Sequence, residues 1–356
     1  MVWVVDHTNH RTDFQHLNQY WAESLEFLAR EADIELSFIR GSYPKIEADP
    51  LITDSISKSD QTQKICNLMI SGEIKDGDIF IFTDGWNFSV LPLAYMRKEF
   101  KLDIKLIGFW ADSYFADSTN RWTRFYRDSD VEHDWAKHFE KGLMQTYEYN
   151  CYKTSDKYWQ FKRRYRNLMK HQVTSITGLP FEYLWKEGQE VDAGKKENIV
   201  VFPFTISDEE FAIFEAMEAD FPTWKFVSVL HNQYNRTVYR ELLKKAKIVM
   251  SVNRSDSDYT IFFEAMCNKC HILIPDSAYY KKTFGDRYRY PIKHVETGIK
   301  HIKFLRNRFA LQDIIQSTMD HYSENLDILE EDALKLKNEM FSNEPFLKIL
   351  EHANRK

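Results

Sequence analysis

Residues 251–277 read SVNRSDSDYTIFFEAMCNKCHILIPDS, and this stretch decides how the second half of the chain folds. The apolar residues 248–250 before it predict a buried strand, and a second apolar run, 271–274, predicts another strand that ends at Pro275. Between them, a polar loop leads into a short helix that opens near Tyr259. Strand, loop and helix in this order place backbone N–H groups and the positive end of a helix dipole at the carboxyl edge of a sheet. A phosphate can bind there.

Two carboxylates flank this predicted helix start. Asp256 and Glu264 lie eight residues apart, with Glu264 on the second turn of the helix. One of them could contact a sugar and the other a ribose, while the amides of Tyr259, Thr260 and Ile261 hold a diphosphate between them.

The EAM triplet at 264–266, followed by an apolar strand that ends in proline, resembles the carboxy-terminal half of the GT-B glycosyltransferases. More narrowly, it resembles their retaining branch, which carries an E-x7-E motif. The resemblance implies that Glu264, at the second position of the motif, binds the ribose of a nucleotide-sugar donor. Asp256 stands at the first position, as a shorter carboxylate, and would bind the transferred sugar. The implied co-substrate is a UDP-sugar, with no metal and no redox cofactor. On this basis Glu264→Ala is predicted to abolish donor binding without unfolding the chain.

The composition limits the possible classes of protein. A chain of 356 residues with 43% hydrophobic residues can bury two cores, and its formal net charge of −6 argues against a globally basic nucleic-acid binder, although not against a basic groove. Neither a signal peptide nor a membrane-spanning run is expected. Four cysteines, Cys66, Cys151, Cys267 and Cys270, are typical of a reduced, cytoplasmic protein. The Cys267–Cys270 spacing also fits zinc or redox chemistry, but a matching second ligand pair is missing.

Apolar runs alternate with helical periodicity along both halves, which predicts parallel sheets covered by helices. The predicted strands of the first half are 2–5, 35–39, 79–82 and 104–109, and residues 174–180 resemble the last strand of a GT-B amino-terminal domain. The strands of the second half begin at 199–202 and 225–229. The expected fold class is α/β of the GT-B type, with two Rossmann-like doubly wound domains facing across a cleft. The acceptor-side domain is expected at 1–184, a polar linker at 185–198 and the donor domain at 199–335, with a terminal helix at 336–356 that packs back toward the first domain.

Loops that follow strands of the first domain are candidates for acceptor binding, because ligands of doubly wound sheets bind at the carboxyl ends of the strands. His7 and Arg11 follow the first strand, and Asp84 and Trp86 follow the third. Gly85 between them would allow a close backbone approach. A solvated loop or a core-facing indole explains the same residues equally well.

The segment FWADSYF, residues 109–115, resembles the strand-end segment of phage DNA glucosyltransferases. That family carries an aspartate there, suspected of orienting or deprotonating the acceptor hydroxyl, and Asp112 matches it by position. Trp110 and Tyr114 could stack on an extruded base. The implied acceptor is DNA bearing hydroxymethylcytosine or an already glycosylated base, modified in the host cytoplasm if a bacteriophage encodes the chain. An aspartate that caps the following turn is the alternative interpretation of Asp112.

The donor diphosphate needs a counter-charge at close range. The family presents an Arg and a Lys after the first strand of the second domain. Residues 200–211 of this chain, VVFPFTISDEEF, contain neither. Arg254 is the nearest replacement, followed by Lys281 or Lys282. His231 and Asn232 are placed to contact the nucleotide base, or form a solvated loop.

Aromatic residues interleave with cations at 158–170 and 287–308, which fits nucleic-acid contact or a solvated helix face with core-facing rings. Other acceptors stay open at this point: a transfer-RNA base, a lipid or a polysaccharide. A non-catalytic binding protein that keeps the fold is a further alternative, and the sequence does not determine the oligomeric state.

Overall fold

A computed structural model of the protein describes residues 1–6, 17–41, 50–110, 130–152, 173–176, 181–203, 208–229, 232, 235–252, 260–277, 280–291, 301–343, 347 and 351. These residues form two compact units. The first contains the described residues up to Glu182 together with those from Met340 onward, and the second contains those from Tyr183 to Glu339.

The first unit is built on a parallel sheet of six strands in the order β2-β1-β3-β4-β5-β6. The residues of β1, β3, β4 and β5 are all buried except Lys105, as expected of a parallel sheet with both faces covered. The strands are β1 (Val2–Asp6), β2 (Leu36–Arg40), β3 (Ile79–Phe82), β4 (Lys105–Trp110), β5 (Tyr149–Tyr152) and β6 (Val173–Ile176), and the helices are α1 (Leu17–Ala32), α2 (Pro50–Ile70), α3 (Val90–Phe100) and α4 (Asp130–Thr146).

The second unit has a parallel sheet of five strands in the order β11-β10-β9-β7-β8. Its strands are β7 (Glu197–Phe202), β8 (Lys225–Ser228), β9 (Ala246–Met250), β10 (His271–Pro275) and β11 (Arg289–Tyr290). Its helices are α5 (Glu182–Gly188), which starts on the last residue of the first unit, α6 (Asp208–Asp220), α7 (Arg236–Lys245), α8 (Thr260–Cys267), α9 (His301–Asp320) and α10 (Leu326–Met340).

Both sheets reverse their strand order at one point. In the first, β1 lies between β2 and β3, and in the second, β7 lies between β8 and β9. In open α/β sheets, ligands bind outside the carboxyl ends of the strands at such a reversal. The topology therefore predicts binding sites at the carboxyl ends of β1 and β3 in the first unit, and of β7 and β9 in the second.

The α/β class with two doubly wound parallel sheets is confirmed, and several segments differ from prediction. Two short strands, β5 and β11, were not predicted, because YNCY and RY lack an aliphatic run. The predicted linker, 185–198, contains the end of α5 and a 3₁₀ turn at Ala193–Lys195. Within it, Gly188 packs so closely on α8 that an added Cβ would lie 2.3 Å from the carbonyl oxygen of Cys267. Among the described residues, no helix combines the length and the apolar composition that crossing a bilayer requires.

Candidate active site

The helix α8 begins at the carboxyl edge of the second sheet, where the strand reversal predicts ligand binding. It follows β9 along the chain, and all of its residues are buried. Thr260 and Ile261 are its first two residues, and the first N–H groups of a helix have no acceptor within the helix. Thr260 and Ile261 therefore lie where the sequence predicts an anion to be held by helix amides.

Glu264 lies one turn further along α8 and forms a buried ion pair. Its carboxylate is 1% exposed, and both oxygens accept from the guanidinium of Arg236 at 2.6 Å, one from each terminal nitrogen. Arg236 is the first residue of α7, and its side chain is 7% exposed. The predicted ribose ligand is thus at the expected turn of the helix, with its two oxygens fixed by a cation from a neighbouring helix.

Sequence reasoning did not single out Arg236. One signal for it existed: a cation in the first turn of a helix is opposed by the helix dipole, so an Arg directly after the N-cap Asn235 needs an anionic partner. The sequence does not identify that partner, because Glu264 lies 28 residues away along the chain.

The other end of α7 is held by a buried lysine. The Lys196 ammonium donates to the carbonyls of Leu243 and Ala246 at 2.7 and 2.8 Å, and burial lowers its pKa. The Cys270 sulfur lies 3.2 Å from the same two oxygens and 3.5 Å from the Lys196 nitrogen. Cations that bond the last carbonyls of a helix stabilise its end.

Cys270 is one member of the Cys267–Cys270 pair. Both cysteines are buried free thiols, and burial raises the pKa of each. Cys270 contacts the end of α7, and Cys267 lies against Gly188. The described part of the chain brings no three His, Cys, Asp or Glu side chains together as metal ligands.

Ser228 is the last residue of β8, the strand that pairs with β7 at the strand reversal. It is fully buried, and its hydroxyl has no hydrogen-bond partner among the described residues. Its carbonyl accepts from the amide of Asn232, an exposed residue. Ser228 was not predicted as a site residue, since a lone Ser at a strand end carries no motif.

The strand reversal of the first sheet carries a cluster of polar residues, which we call the first-edge cluster: Asp6, Arg40, Lys58, Gln61 and Asp84. Arg40 donates to the buried Asp6 carboxylate at 2.9 Å, and Gln61 donates to the Asp6 carbonyl at 2.5 Å. Lys58 donates to Asp84 at 3.1 Å. The ends of β1 and β3 are thus joined through side chains of α2.

Asp84 keeps partial contact with solvent. Its side chain is 22% exposed, one oxygen accepts from Lys58, and the other accepts from the backbone amide of Trp86 at 2.9 Å. These two bonds fix the carboxylate at the end of β3, where the sequence placed an acceptor ligand.

Lys58 and Gln61 were not predicted as site residues, although their positions on α2 contain a signal. They occupy the same face of α2 as the buried Ile65 and Met69, at spacings of three and four residues. A Lys and a Gln on the apolar stripe of an amphipathic helix must find buried partners.

The structure places Trp110, a predicted stacking residue, in the first core. Its indole is 1% exposed, donates from Nε1 to Asn150 at 2.8 Å, and packs edge-on against Tyr147. The close approach allowed by Gly85 is to this ring, because a Cβ at Gly85 would lie 2.5 Å from it. The cause is the length of β4, which extends to Trp110 and pairs it with Tyr152, whereas the sequence predicted a strand that ends at residue 109. Trp86 is half-buried and packs against Phe139.

The cation-rich stretch that begins at residue 287 is structural where it is described. Arg289 forms ion pairs with Asp276 and Asp286, and Arg287 lies 3.8 Å from Asp332. The rings of Tyr288 and Tyr290 are buried. The alternative to nucleic-acid contact was a solvated helix face with core-facing rings, and the buried rings of Tyr288 and Tyr290 fit the second part of that alternative.

Several predicted site residues lie outside the described residues: Asp112, Asp256, Arg254, Tyr259, His231, Tyr114, His7 and Arg11. Of the two lysines predicted to reach a diphosphate, Lys281 is exposed and lies 3.3 Å from the Asp276 carboxylate. The side chain of Lys282 lies outside the described residues.

His271, at the start of β10, gives the second unit a predictable response to acid. Burial lowers its pKa from 6.5 to about 4. Between these values the unfolded chain binds a proton that the folded chain does not, so the free energy of unfolding should fall as pH drops from 6.5 to 4. The loss attributable to His271 is about 3 kcal/mol.

Denaturant unfolding of the wild type and His271→Phe across this pH range measures the difference. The variant should show a shallower pH dependence, since phenylalanine does not titrate. The exposed His321 provides the control, and His321→Gln should follow the wild-type curve. Parallel curves for wild type and His271→Phe would contradict the prediction.

No protein-family model matches the chain, and no curated protein matches it in sequence. Solved structures do match. The sucrose-phosphate synthase of Thermosynechococcus elongatus superposes with a TM-score of 0.57 at 12% identity, covering 99% of this chain and 97% of that one.

Two further structures match over nearly their full lengths. The UDP-forming α,α-trehalose-phosphate synthase of Burkholderia vietnamiensis has a TM-score of 0.53 at 10% identity and covers 99% of this chain and 98% of its own. The Anabaena protein HepE, solved in complex with UDP and glucose, has a TM-score of 0.53 at 9% identity, with 100% and 99% covered. Likeness at this identity establishes the fold of the chain.

Proposed function

We propose that this chain, which has the GT-B fold, is a glycosyltransferase that moves a sugar from a nucleoside diphosphate to an acceptor hydroxyl. One observation carries the proposal: a fully buried Glu264 one turn after the start of α8, which follows β9 at the edge of the second sheet. A helix start and a fixed carboxylate at that edge suit a diphosphate and a ribose.

The proposed donor is a UDP-sugar. Amides of Thr260 and Ile261 at the start of α8 would hold the diphosphate, and Glu264 would accept from the ribose hydroxyls. The Ser228 hydroxyl is a further donor at this edge. Arg254, Asp256, Tyr259, His231 and Asn232 keep their proposed donor-side roles, and the proposed reaction retains the configuration of the sugar.

The proposed acceptor site is the strand reversal of the first sheet. Asp84 would orient or deprotonate the acceptor hydroxyl there, held by Lys58 and the Trp86 amide. Asp112 is the other proposed acceptor-side carboxylate, and Trp86, Tyr114, His7 and Arg11 are the proposed binding residues. Catalysis would be mainly electrostatic and positional, because the leaving diphosphate is already a stable anion.

For the acceptor itself, the resemblance of residues 109–115 to phage DNA glucosyltransferases leads us to propose a hydroxyl on a modified DNA base. A small sugar or sugar phosphate is the second candidate. The burial of Trp110 favours it, because that ring is not placed to stack on a base, and so do the paired arginines of residues 287–290.

Transfer assays separate these acceptors. We would incubate the protein with a panel of nucleotide sugars and, in parallel, with hydroxymethylated DNA, glucosylated DNA, monosaccharides and sugar phosphates, and detect products by mass spectrometry. Asp84→Asn should slow transfer about 10²- to 10⁴-fold, because an amide cannot accept the proton. Asp103, an exposed aspartate of the same unit, gives the matched control Asp103→Asn, which should transfer at the wild-type rate.

Salt dependence distinguishes the acceptors further. Binding to DNA through phosphate contacts should weaken steeply with salt, whereas binding of a neutral sugar should not. A wild-type protein that neither binds UDP in calorimetry nor transfers any sugar of the panel would refute the proposed function.

A further inference from the structure

A buried amine and a buried thiol face each other at the end of α7, where neither takes part in the proposed sugar transfer. The Lys196 nitrogen lies 3.5 Å from the Cys270 sulfur. Both atoms contact the carbonyl oxygens of Leu243 and Ala246, the nitrogen at 2.7 and 2.8 Å and the sulfur at 3.2 Å from each. The two shared acceptors therefore hold the amine and the thiol side by side.

The environment of Lys196 favours the neutral form of its amine more than water does. The residue is 8% exposed, and burial lowers its pKa. An amine attacks through the lone pair that only its neutral form has, and lysines desolvated in this way are better nucleophiles at a given pH. The buried thiol beside it is the one group in contact that oxidation can convert into an electrophile.

The Cys270 thiol lies directly behind a surface turn. Cys270 is fully buried, but it follows Asn268 and Lys269, which are both partly exposed. Lys196 lies between two exposed residues. Burial raises the pKa of the thiol, so its oxidation should be slow and should depend on local opening of this turn.

We propose that Lys196 and Cys270 form a covalent sulfur–nitrogen cross-link, a sulfenamide, when the folded chain meets a peroxide. The bond would join the residue before β7 to the residue before β10, two strands that β9 separates in the sheet. The cross-link makes this end of α7 a site of reversible oxidative modification.

The reaction takes two steps. Hydrogen peroxide first oxidises the Cys270 thiol by two electrons to a sulfenic acid and is itself reduced to water. The nitrogen lone pair of Lys196 then attacks the sulfur, the S–O bond breaks, and the hydroxyl leaves as water with a proton from the nitrogen. One thiol hydrogen and one amine hydrogen are lost in total, and two molecules of an added thiol restore both groups.

A competing product is a disulfide with Cys267, the nearest cysteine along the chain. The contacts of the two thiols differ, because Cys267 lies against Gly188 whereas Cys270 lies against Lys196 and the end of α7. The proposal therefore assigns the attack on Cys270 to the amine.

Peptide mass spectrometry tests the cross-link. The folded protein is treated with hydrogen peroxide, free thiols are blocked with iodoacetamide, and the chain is digested without reductant. Two linked peptides, one containing Lys196 and the other Cys270, should appear with a mass that is two hydrogens below their sum. They should disappear after dithiothreitol treatment. They should form faster at mildly alkaline pH than at mildly acidic pH, because alkaline pH favours both the neutral amine and the thiolate.

Two lysine variants provide the comparison. Lys196→Arg keeps a cation that donates hydrogen bonds, but a guanidinium stays protonated and is no nucleophile, so no linked peptides should form. Lys247 bonds the Asn198 side chain, and Lys247→Arg should cross-link like the wild type. Should Lys196→Arg fail to fold, wild type treated in urea replaces it, because unfolding separates the two groups and should abolish the product.

Each other result overturns the cross-link. Such results are a Cys270 that stays reduced, that is oxidised only to a sulfinic acid, or that is joined to Cys267. Linked peptides that form equally well in urea, or that carry an additional oxygen atom, overturn the sulfur–nitrogen bond between neighbours in the fold. None of these results depends on sugar transfer, so the cross-link and the proposed function stand or fall separately.

Discussion

Glu264→Ala is expected to lower the free energy of unfolding by about 3–5 kcal/mol, because it removes the carboxylate that pairs with the buried Arg236 guanidinium. Both side chains are nearly inaccessible to water, so solvent cannot take over the lost hydrogen bonds. Urea unfolding of the wild type and the variant, followed by circular dichroism, measures the difference.

The same chain offers a solvated ion pair for comparison. Arg240 and Glu187 are both substantially exposed, and Glu187→Ala should cost no more than about 1 kcal/mol. A double variant, Arg236→Met with Glu264→Leu, should recover much of the lost stability, because no buried charge remains unpaired. Equal stability of Glu264→Ala and Glu187→Ala would show that the Arg236–Glu264 pair is solvated.

Measuring the contribution of Glu264 to donor binding requires a variant that stays folded. The sequence alone predicted that Glu264→Ala abolishes donor binding without unfolding the chain, whereas the ion pair makes a loss of stability the expected first effect. Glu264→Gln keeps the shape and one acceptor for Arg236, and so it is the variant to use for nucleotide affinity.

Trp110→Ala is expected to lower the free energy of unfolding by about 3–5 kcal/mol, as removal of a large buried ring does. The indole fills the space between Gly85 and Tyr147, and its Nε1 bond to Asn150 would be lost as well. The same unfolding measurement applies. Tyr95, an aromatic residue of the first unit with 64% exposure, gives the control Tyr95→Ala, which should stay within about 0.5 kcal/mol of wild type.

A contrary result would restore the stacking role that the sequence suggested. Trp110→Ala with wild-type stability and selectively weakened acceptor binding would place the indole at the acceptor. Loss of stability with unchanged affinity in the folded fraction would assign it to the core.

The α/β class, the alternation of strands and helices and the position of Glu264 on a helix could all be predicted from the sequence. The strand at Ile79–Phe82 has the predicted bounds. Strands covered on both faces must be apolar throughout, and helices covered on one face must repeat their apolar residues every three or four positions. These periods are local, so the chain displays them without reference to its fold.

The partners of buried polar groups were decided by the tertiary structure. Glu264 and Arg236 meet because β9 lies beside β10 and α7 and α8 pack on the same sheet, and Asp84 meets Lys58 because β3 lies beside β1. Strand order determines which loops share an edge, and hydrophobic periodicity carries no information about strand order. Trp110 shows the same limit. Pairing with β5 extends β4 one residue beyond its predicted end, and this places in the first core a ring that the sequence offered to an acceptor.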